Sequence, residues 1–270
     1  MHTWAFWDDG DHPPAFNMAA DEMLMKWHRE GHIPPVLRFY GWDPGGLSVG
    51  YYQKTENRFN TAELNKRGFE LVRRPTGGQA VLHHKELTYS IIVSEDYPTI
   101  PSTIKETYKV LSEGLLRGFA KLGVVAEFSF PAENKPLGTA NCFEEASYYE
   151  INVEGKKAAG SSQTRQKGII LQHGSIPIWM RAEDLLELFH YPSERTKERA
   201  YQRFASKAFS LQEVLTPETT LADIRAAFFN GFQTSLNVPF ERLELSNDQV
   251  EEIEQLAAEK YQNPAFLYSR

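Results

Sequence analysis

Hydrophobic and polar positions along the chain alternate between helical and strand-like spacing. Residues 14–29 are rich in helix formers, with Pro14 near the start and Gly31 just past the end. Apolar residues recur at helical spacing over 103–122, where Thr103 begins a capping box. Further helices are predicted at 59–67, 181–190, 193–207, 220–236 and 246–262. Strands are predicted at 35–40, 47–52, 69–74, 86–94, 148–153, 157–162 and 168–178.

This order of elements mixes antiparallel hairpin signals, such as the turn at Glu154-Gly155, with helices. It favours an α+β (mixed α/β) fold, with mixed sheets flanked by helices, over a doubly wound parallel sheet. The chain has no GxGxxG after a first strand and no GxxxxGK[ST] loop. The sequence therefore lacks both common nucleotide-binding signatures.

Composition narrows the class of protein. The chain has 270 residues with 29 Lys+Arg and 36 Asp+Glu, and its formal charge of −7 argues against a general nucleic-acid binder. No stretch approaches the roughly 18 apolar residues of a membrane helix, so no membrane association is expected. The first residues lack the basic and apolar regions of a secretory signal, and we expect a cytoplasmic protein. The one cysteine, Cys142, cannot form an internal disulfide.

The first stretch that suggests chemistry is RRPTGGQAVLHH at 73–84. Gly77 and Gly78 permit backbone conformations closed to other residues, so this turn can bring amides close to a ligand. An ordinary strand connection explains the same residues. His83 and His84 lack a further ligand at convincing spacing, which indicates structural or pocket-lining histidines and no metal site.

The second stretch surrounds Cys142. It follows residues 130–141, which contain two prolines and no periodicity and are predicted to form a mobile loop. A lone cysteine is usually a small buried hydrophobe. Its position after a polar loop also suits an exposed nucleophile.

The third stretch is EGKKAAGSSQTRQKGIILQHGS at 154–175. Lys156 and Lys157 lie at the predicted hairpin, followed by small residues from Ala158 to Ser162 that let a ligand or a strand approach closely. Lys157 is either a solvated turn residue or a functional one.

The combination of these motifs resembles a known family. The segments RRPTGG, Cys142, KAAGSSQ from Lys157 and HGS from His173 are similar to those of the biotin/lipoate protein ligase superfamily, and within it to octanoyltransferases of the LipM type. The resemblance runs from PAFNMAADEML to YPSER and covers nearly the whole chain.

The resemblance implies roles for particular residues. Cys142 becomes the nucleophile that forms an acyl thioester, and Lys157 becomes its activating partner. Substrate binding is assigned to Arg73, Gly77, Gly78, His83, Ala159, Gly160, Ser161, His173 and Gly174. A catalytic domain is expected over 1–236, with its core at about 31–236, followed by a C-terminal strand-helix extension over 237–270 that packs on it. Residues in 37–40, 80–82 and 169–171 are expected to line an apolar slot for the acyl chain.

The implied reaction moves an octanoyl group from octanoyl-acyl-carrier protein to the lysine of a lipoyl-domain protein such as the glycine-cleavage H protein. Neither ATP nor another cofactor is expected, and the protein is expected to be a monomer. Two positions depart from the family pattern. Gln79 stands where many relatives have Gly or Arg, and His84 stands where they commonly have Asp.

Two other functions fit the same sequence. An ATP-dependent lipoate–protein ligase shares the fold, but an adenylate route needs no thiol, and such ligases carry a further C-terminal domain. A non-catalytic module that binds acyl-carrier protein predicts that Cys142→Ser leaves function intact.

One surface feature concerns partners. Arg195, Arg199, Arg203 and Lys207 recur every four positions of the helix predicted at 193–207. This basic stripe is either a solvated surface or a guide for acidic partners.

Overall fold

The computed structural model describes residues 3–129 and 150–269 of the chain. Its strands are Trp4–His12 (β1), Val36–Trp42 (β2), Gly46–Val49 (β3), Glu70–Arg73 (β4), Val81–His83 (β5), Glu86–Ser94 (β6), Glu127–Ser129 (β7), Glu150–Val153 (β8), Lys156–Gln166 (β9), Ile169–Pro177 (β10) and Phe240–Arg242 (β11). Its helices are Pro14–Arg29 (α1), Thr61–Lys66 (α2), Ile104–Lys121 (α3), Ala182–Leu186 (α4), Glu194–Lys207 (α5), Leu221–Leu236 (α6), Asn247–Leu256 (α7) and Pro264–Leu267 (α8).

Within these residues the strands form two sheets. The larger has the order β11-β1-β2-β6-β10-β9-β8-β7, and the smaller has the order β4-β3-β5. Strand β1 runs parallel to both of its neighbours, whereas β2, β6, β10, β9, β8 and β7 pair antiparallel in succession. This mixed architecture, with helices against the sheets, confirms the predicted fold class.

The larger sheet separates two parts of the core. Along β6, Tyr89 and Ile91 belong to the cluster formed with α3 and α6, whereas Ile92 belongs to the cluster formed with α1. Because both faces of β6 and β10 are covered, nearly every residue of these strands is buried. A third cluster joins the smaller sheet to α4 and α5.

Helices α3 and α6 approach each other closely because glycines line their contact. A Cβ on Gly231 of α6 would lie 2.4 Å from the carbonyl oxygen of Gly114 and 2.5 Å from the amide nitrogen of Gly118, both on α3. The rings of Phe228 and Phe232 occupy the space beside these α3 glycines. The backbones of α3 and α6 therefore lie closer together than larger residues at these positions would allow.

A fully buried arginine connects β1, α1 and β2. Arg38 of β2 forms ion pairs with Asp9 and Asp21, and its guanidinium also donates to the backbone and side-chain oxygens of Asn17. The same group lies 4.0 Å from the ring centroid of Tyr40. Each N–H group of the buried Arg38 guanidinium therefore faces an acceptor or an aromatic ring.

Most predicted elements are confirmed, with changes at their ends. Helix α1 and strand β6 match their predicted ranges, and the hydroxyl of Thr103 accepts from the amide of Glu106 as the capping box requires. The strand predicted at 47–52 ends at Val49, because the amide of Tyr51 turns to pair with the carbonyl of Thr76. The helix predicted at 181–190 is shorter, and that predicted at 246–262 ends as a π-helical turn at Ala257–Tyr261.

Strand β1 was not predicted. Its second half, DDGDH, carries three carboxylates and a glycine, which hide the apolar alternation of Trp4-Ala5-Phe6-Trp7. The strand exists because β2 and β11 pair with it on either side. That support comes from residues far away in the sequence.

The C-terminal residues pack on the rest of the fold. Strand β11 extends the edge of the larger sheet, and α7 together with the π-helical turn covers α1. Lys260 and Tyr261 both bind the carboxylate of Glu22 on α1. The division of the chain at residue 236 remains a prediction. Among the described residues, no helix is both long enough and apolar enough to cross a membrane.

We expect Gly231→Ala to lower the free energy of unfolding by about 1–3 kcal/mol, the cost of overpacking a core. The added Cβ meets backbone atoms, which cannot move aside as a side chain could. Thermal denaturation measures the effect. The exposed neighbour Asn230 provides the control, since Asn230→Ala adds a better helix former without a clash. Equal stability of the two variants would contradict the packing argument.

Candidate active site

A cavity of about 410 Å³ lies between the larger sheet and the smaller one. Across its floor, Tyr40, Thr88, Ser175 and Gly160 are directly paired in register on β2, β6, β10 and β9. Three strand spacings of about 4.8 Å give this row a length of about 14 Å. Apolar groups line much of the cavity, among them Met18, Tyr40, Trp42, Val81 and Pro177.

The RRPTGG turn forms one wall of the cavity. The guanidinium of Arg74 donates to the carbonyls of Ser48 at 3.0 Å, Gly77 at 2.7 Å and Gln79 at 2.8 Å, which fixes the shape of the turn. Gly78 has a φ of 93°, in the left-handed region that favours glycine. The carbonyl oxygen of Gly78 lies close to Gly50, and a Cβ on Gly50 would be only 1.9 Å from that oxygen.

Arg73 was expected to bind substrate, but the structure places its side chain away from the cavity. Its side chain is fully buried and does not line the cavity. The guanidinium donates to the carbonyls of Gly50 and Gln53 and, across the molecule, to that of Leu267. The neighbouring Arg74 faces the cavity instead, because successive residues of an extended chain point in opposite directions.

Lys157 lies at the β9 end of the row. Its Nζ donates to Oε1 of Glu150 at 2.7 Å, and both side chains are largely buried. The lysine stem crosses Gly160, where a Cβ would meet Cε at 2.9 Å and Nζ at 3.2 Å. The glycine therefore allows the ammonium group to reach both Glu150 and the cavity.

A second set of hydrogen bonds supports the opposite wall. The ring of His83 stacks on Trp42 at 4.1 Å and hydrogen-bonds Ser48 at 2.8 Å and Glu86 at 2.7 Å. The hydrogen bonds from Ser48 to His83 and from His83 to Glu86 connect the same residue types as a hydrolase triad. Ser48 is fully buried, however, and its hydroxyl is held by His83 and by the guanidinium of Arg74 at 3.1 Å. These residues therefore hold the aromatic wall in place.

His173 connects the cavity to the buried charges. Its Nδ1 lies 3.2 Å from Asp21, and its Nε2 lies 2.6 Å from the hydroxyl of Thr76 in the RRPTGG turn. Burial lowers the pKa of His173 and outweighs the hydrogen bond to Asp21, which raises it. Burial raises the pKa of Asp21, but the hydrogen bond from His173 and the charge of Arg38 together hold that pKa below its usual value.

The neutral imidazole therefore donates through Nδ1 to Asp21 and accepts the Thr76 proton at Nε2.

The structure brings most of the predicted site residues together. Those that line the cavity are Gly77, Gly78, His83, Lys157, Ala159, Gly160, Ser161, His173 and Gly174. Ser162 ties β9 to the turn through a hydrogen bond to the Gly77 carbonyl. Gln79, one of the two departures from the family pattern, lines the cavity and accepts from the side-chain amide of Gln53.

Two of the three ranges expected to line the acyl slot reach this cavity. Of the three ranges expected to line it, 37–40 contributes Tyr40 and 80–82 contributes Val81. Residues 169–171 are buried in the core on either side of the larger sheet and do not line the cavity. Within the described residues, no cluster of three or more His, Cys, Asp or Glu side chains could hold a metal ion.

Cys142 and residues 130–141 lie outside the described residues. The residues on either side of 130–149 are placed, since Ser129 of β7 pairs directly with Glu150 of β8.

Sequence reasoning missed Glu150 as a site residue. The signal was present in the predicted hairpin, because alternation places Glu150 and Asn152 on one face, and Asn152 pairs with Lys157.

Comparison with known proteins agrees with this fold and cavity. Residues 13–233 match the family model of the lipoyl protein ligase A/B catalytic domain, and the chain belongs to this family. Relatives of the chain include proteins named octanoyltransferase LipM. That of Anoxybacillus flavithermus is 49% identical and that of Bacillus subtilis is 47% identical, each over 99% of both chains.

Solved structures show the same fold at lower identity. A bipartite lipoate protein ligase from Thermoplasma acidophilum is 20% identical, with a TM-score of 0.82 over 99% of this chain and 97% of that one. A lipoate–protein ligase A bound with ATP is also 20% identical, with a TM-score of 0.78 over 99% of each chain. The protein therefore has the lipoate–protein ligase fold.

We expect the free energy of unfolding to fall as the pH decreases from 6.5, the ordinary histidine value, toward the lowered pKa of His173. In that window the unfolded chain binds a proton that the folded protein does not. One such group contributes a slope of at most about 1.4 kcal/mol per pH unit. Denaturant unfolding at several pH values should show a shallower dependence for His173→Gln. The exposed His32 provides the control, and an unchanged slope in His173→Gln would contradict the assignment.

Proposed function

We propose that the protein is an octanoyltransferase of lipoate biosynthesis. It takes octanoyl from octanoyl-acyl-carrier protein, holds it as a thioester on Cys142, and delivers it to the lysine ε-amine of a lipoyl-domain protein such as the glycine-cleavage H protein. The observation that carries this proposal is the full-length similarity to relatives named octanoyltransferase LipM. The cavity supports it, because apolar groups lead from Lys157 to an aromatic wall and suit an acyl chain.

The reaction consists of two exchanges at one carbonyl carbon. In the first, the Cys142 thiolate attacks the donor thioester, the carrier thiolate leaves and takes up a proton, and an acyl-cysteine remains. In the second, a neutral lysine amine attacks that carbonyl, the amide forms, and the amine proton returns to the Cys142 sulfur. Both exchanges start from a thioester, so the route needs no ATP. It is covalent catalysis with ping-pong order.

Lys157 is the proposed activating group. A nearby ammonium favours the reactive thiolate over the thiol. Eight peptide bonds join Cys142 to Glu150, whose carboxylate binds Lys157 at 2.7 Å. A chain of that length reaches at most about 28 Å, so its length allows the thiol to reach Lys157. Backbone amides near Gly77 and Gly160 are candidates to stabilise the oxyanion, and both segments line the cavity.

The decisive experiment separates this route from an ATP-dependent ligase. The purified protein is incubated with octanoyl-acyl-carrier protein without ATP, and mass spectrometry is used to find an octanoyl adduct on Cys142. A parallel sample contains free octanoate, ATP and a lipoyl domain. An adduct in the first sample supports the proposal, whereas product only in the second would show a ligase.

Cys142→Ala should reduce transfer at least about a thousandfold, because the acyl group loses its covalent acceptor. The midpoint of thermal denaturation should stay close to that of the parent protein. Transfer is measured with a lipoyl domain as acceptor, and folding by circular dichroism. Substantial turnover by a folded alanine variant would exclude the thioester route and favour a binding module.

Lys157→Ala should raise the pKa of the Cys142 thiol and slow its acylation at least about tenfold, because the variant lacks the nearby positive charge. The pH dependence of thiol alkylation measures the first effect, and single-turnover acylation measures the second. Lys156→Ala is the matched control, since Lys156 lies next to Lys157 but binds Glu213 at 3.1 Å. If both variants react like the parent, Lys157 has no part in activation.

A further inference from the structure

We propose that the exposed basic face of α5 is the docking surface for the acyl-carrier donor. This inference rests on the proposed function and extends it, because it assigns a place on the molecule to one of the two protein substrates. The partner is defined by its chemistry as an acidic carrier protein that holds the acyl chain on a long, flexible thiol arm.

The charges of α5 differ from those of the whole protein. The chain carries −7, whereas α5 contains five basic and two acidic residues. At 3.6 residues per turn, the four exposed cations fall within a sector of about 120° of the helix surface. These cations are Arg195, Arg199, Arg203 and Lys207.

The remaining residues of α5 define the other sides of the helix. Ala200 and Phe204 are buried in the cluster under the smaller sheet. Lys197 lies outside the basic sector and binds Glu187 at 2.8 Å. Glu194 and Glu198 also lie outside that sector. The helix therefore presents a basic face to solvent that its own acidic residues do not interrupt.

The basic face leads directly to the candidate active site. Immediately after α5, Ala208 forms a β-bridge with Lys157. The amide of Phe209 then donates to the carbonyl of Lys157 at 3.1 Å. The last cation of the face, Lys207, is thus one residue away from the backbone that pairs with the proposed catalytic lysine.

The length of the basic face favours the acyl-carrier donor over the lipoyl-domain acceptor as the protein that docks on it. The helix between Arg195 and Lys207 spans about 18 Å at 1.5 Å per residue. A carrier that lies along this face presents its thioester at the end of a long arm, which can bridge from the helix to Lys157. A lipoyl domain presents its amine on a single lysine side chain, so its body must sit at the cavity itself. Opposite charges at such a surface mainly raise the association rate.

The test is charge reversal of the central pair, Arg199→Glu with Arg203→Glu. At low ionic strength we expect kcat/KM for octanoyl-acyl-carrier protein to fall at least about tenfold, and its dependence on salt to flatten. Acylation of Cys142 by octanoyl-N-acetylcysteamine, a thioester without a protein carrier, should be unchanged. Transfer from preformed octanoyl-Cys142 to a lipoyl domain should also be unchanged. The milder pair Arg199→Gln and Arg203→Gln should give a smaller effect in the same direction.

The matched control is Arg29→Glu with Arg242→Glu, which changes the net charge equally. Arg29 is at the exposed end of α1, and Arg242 is on β11 at the far edge of the larger sheet from β9. Equal losses in the two double variants would overturn the proposal, because net charge alone would then explain them. A loss confined to the lipoyl-domain step would also overturn it and assign the face to the acceptor.

A binding measurement separates this proposal from the proposed function. Fluorescence anisotropy of labelled octanoyl-acyl-carrier protein is measured against Cys142→Ala protein, with and without the α5 reversal. Weaker binding on reversal supports the docking surface even if the parent protein forms no acyl-cysteine. Unchanged binding would overturn the docking surface even if transfer proceeds as proposed.

Discussion

The fold depends on keeping the positive charge of Arg38 in the protein interior. Its partners Asp9 and Asp21 come from two other elements, so β1, α1 and β2 must meet before the charge is compensated. Removal of one partner from such a buried pair typically costs about 3–5 kcal/mol. Asp21 also accepts from His173, which in turn holds Thr76 of the cavity wall. The same charges that fix the sheet therefore fix the shape of the candidate site.

Local signals in the sequence predicted those elements whose ends are set by local interactions. The range of α1 was correct because its residues are strong helix formers, and that of α3 because Thr103 caps it. Strand β1 was missed because three carboxylates lie in its second half. The Asp9 side chain is buried beside Arg38, whereas Asp8 and Asp11 are exposed, and β2 supplies the neighbouring sheet edge. The strand predicted at 47–52 was too long because the chain bends there to reach Thr76. Both errors concern contacts between residues far apart in sequence.

Most of the residues that the resemblance assigned to the site line one cavity. Small residues in KAAGSS and RRPTGG mark where backbone approaches backbone or ligand, and the structure places both segments on one cavity. Arg74 lines the cavity and Arg73 does not, because the pairing of β4 with β3 decides which of the two side chains faces it. Glu150 was missed because a lone acidic residue in a strand has no motif of its own. Only the hairpin register relates it to Lys157.

The pairing of Ser129 with Glu150 has a consequence for variation among natural sequences. Directly opposed residues of antiparallel strands have Cα atoms about 5 Å apart, so Ser129 and Glu150 hold the two ends of the segment 130–149 close together. The pairs that set the register of β7, β8 and β9 all lie outside the segment 130–149. The length of the segment that carries Cys142 is therefore not fixed by this strand pairing.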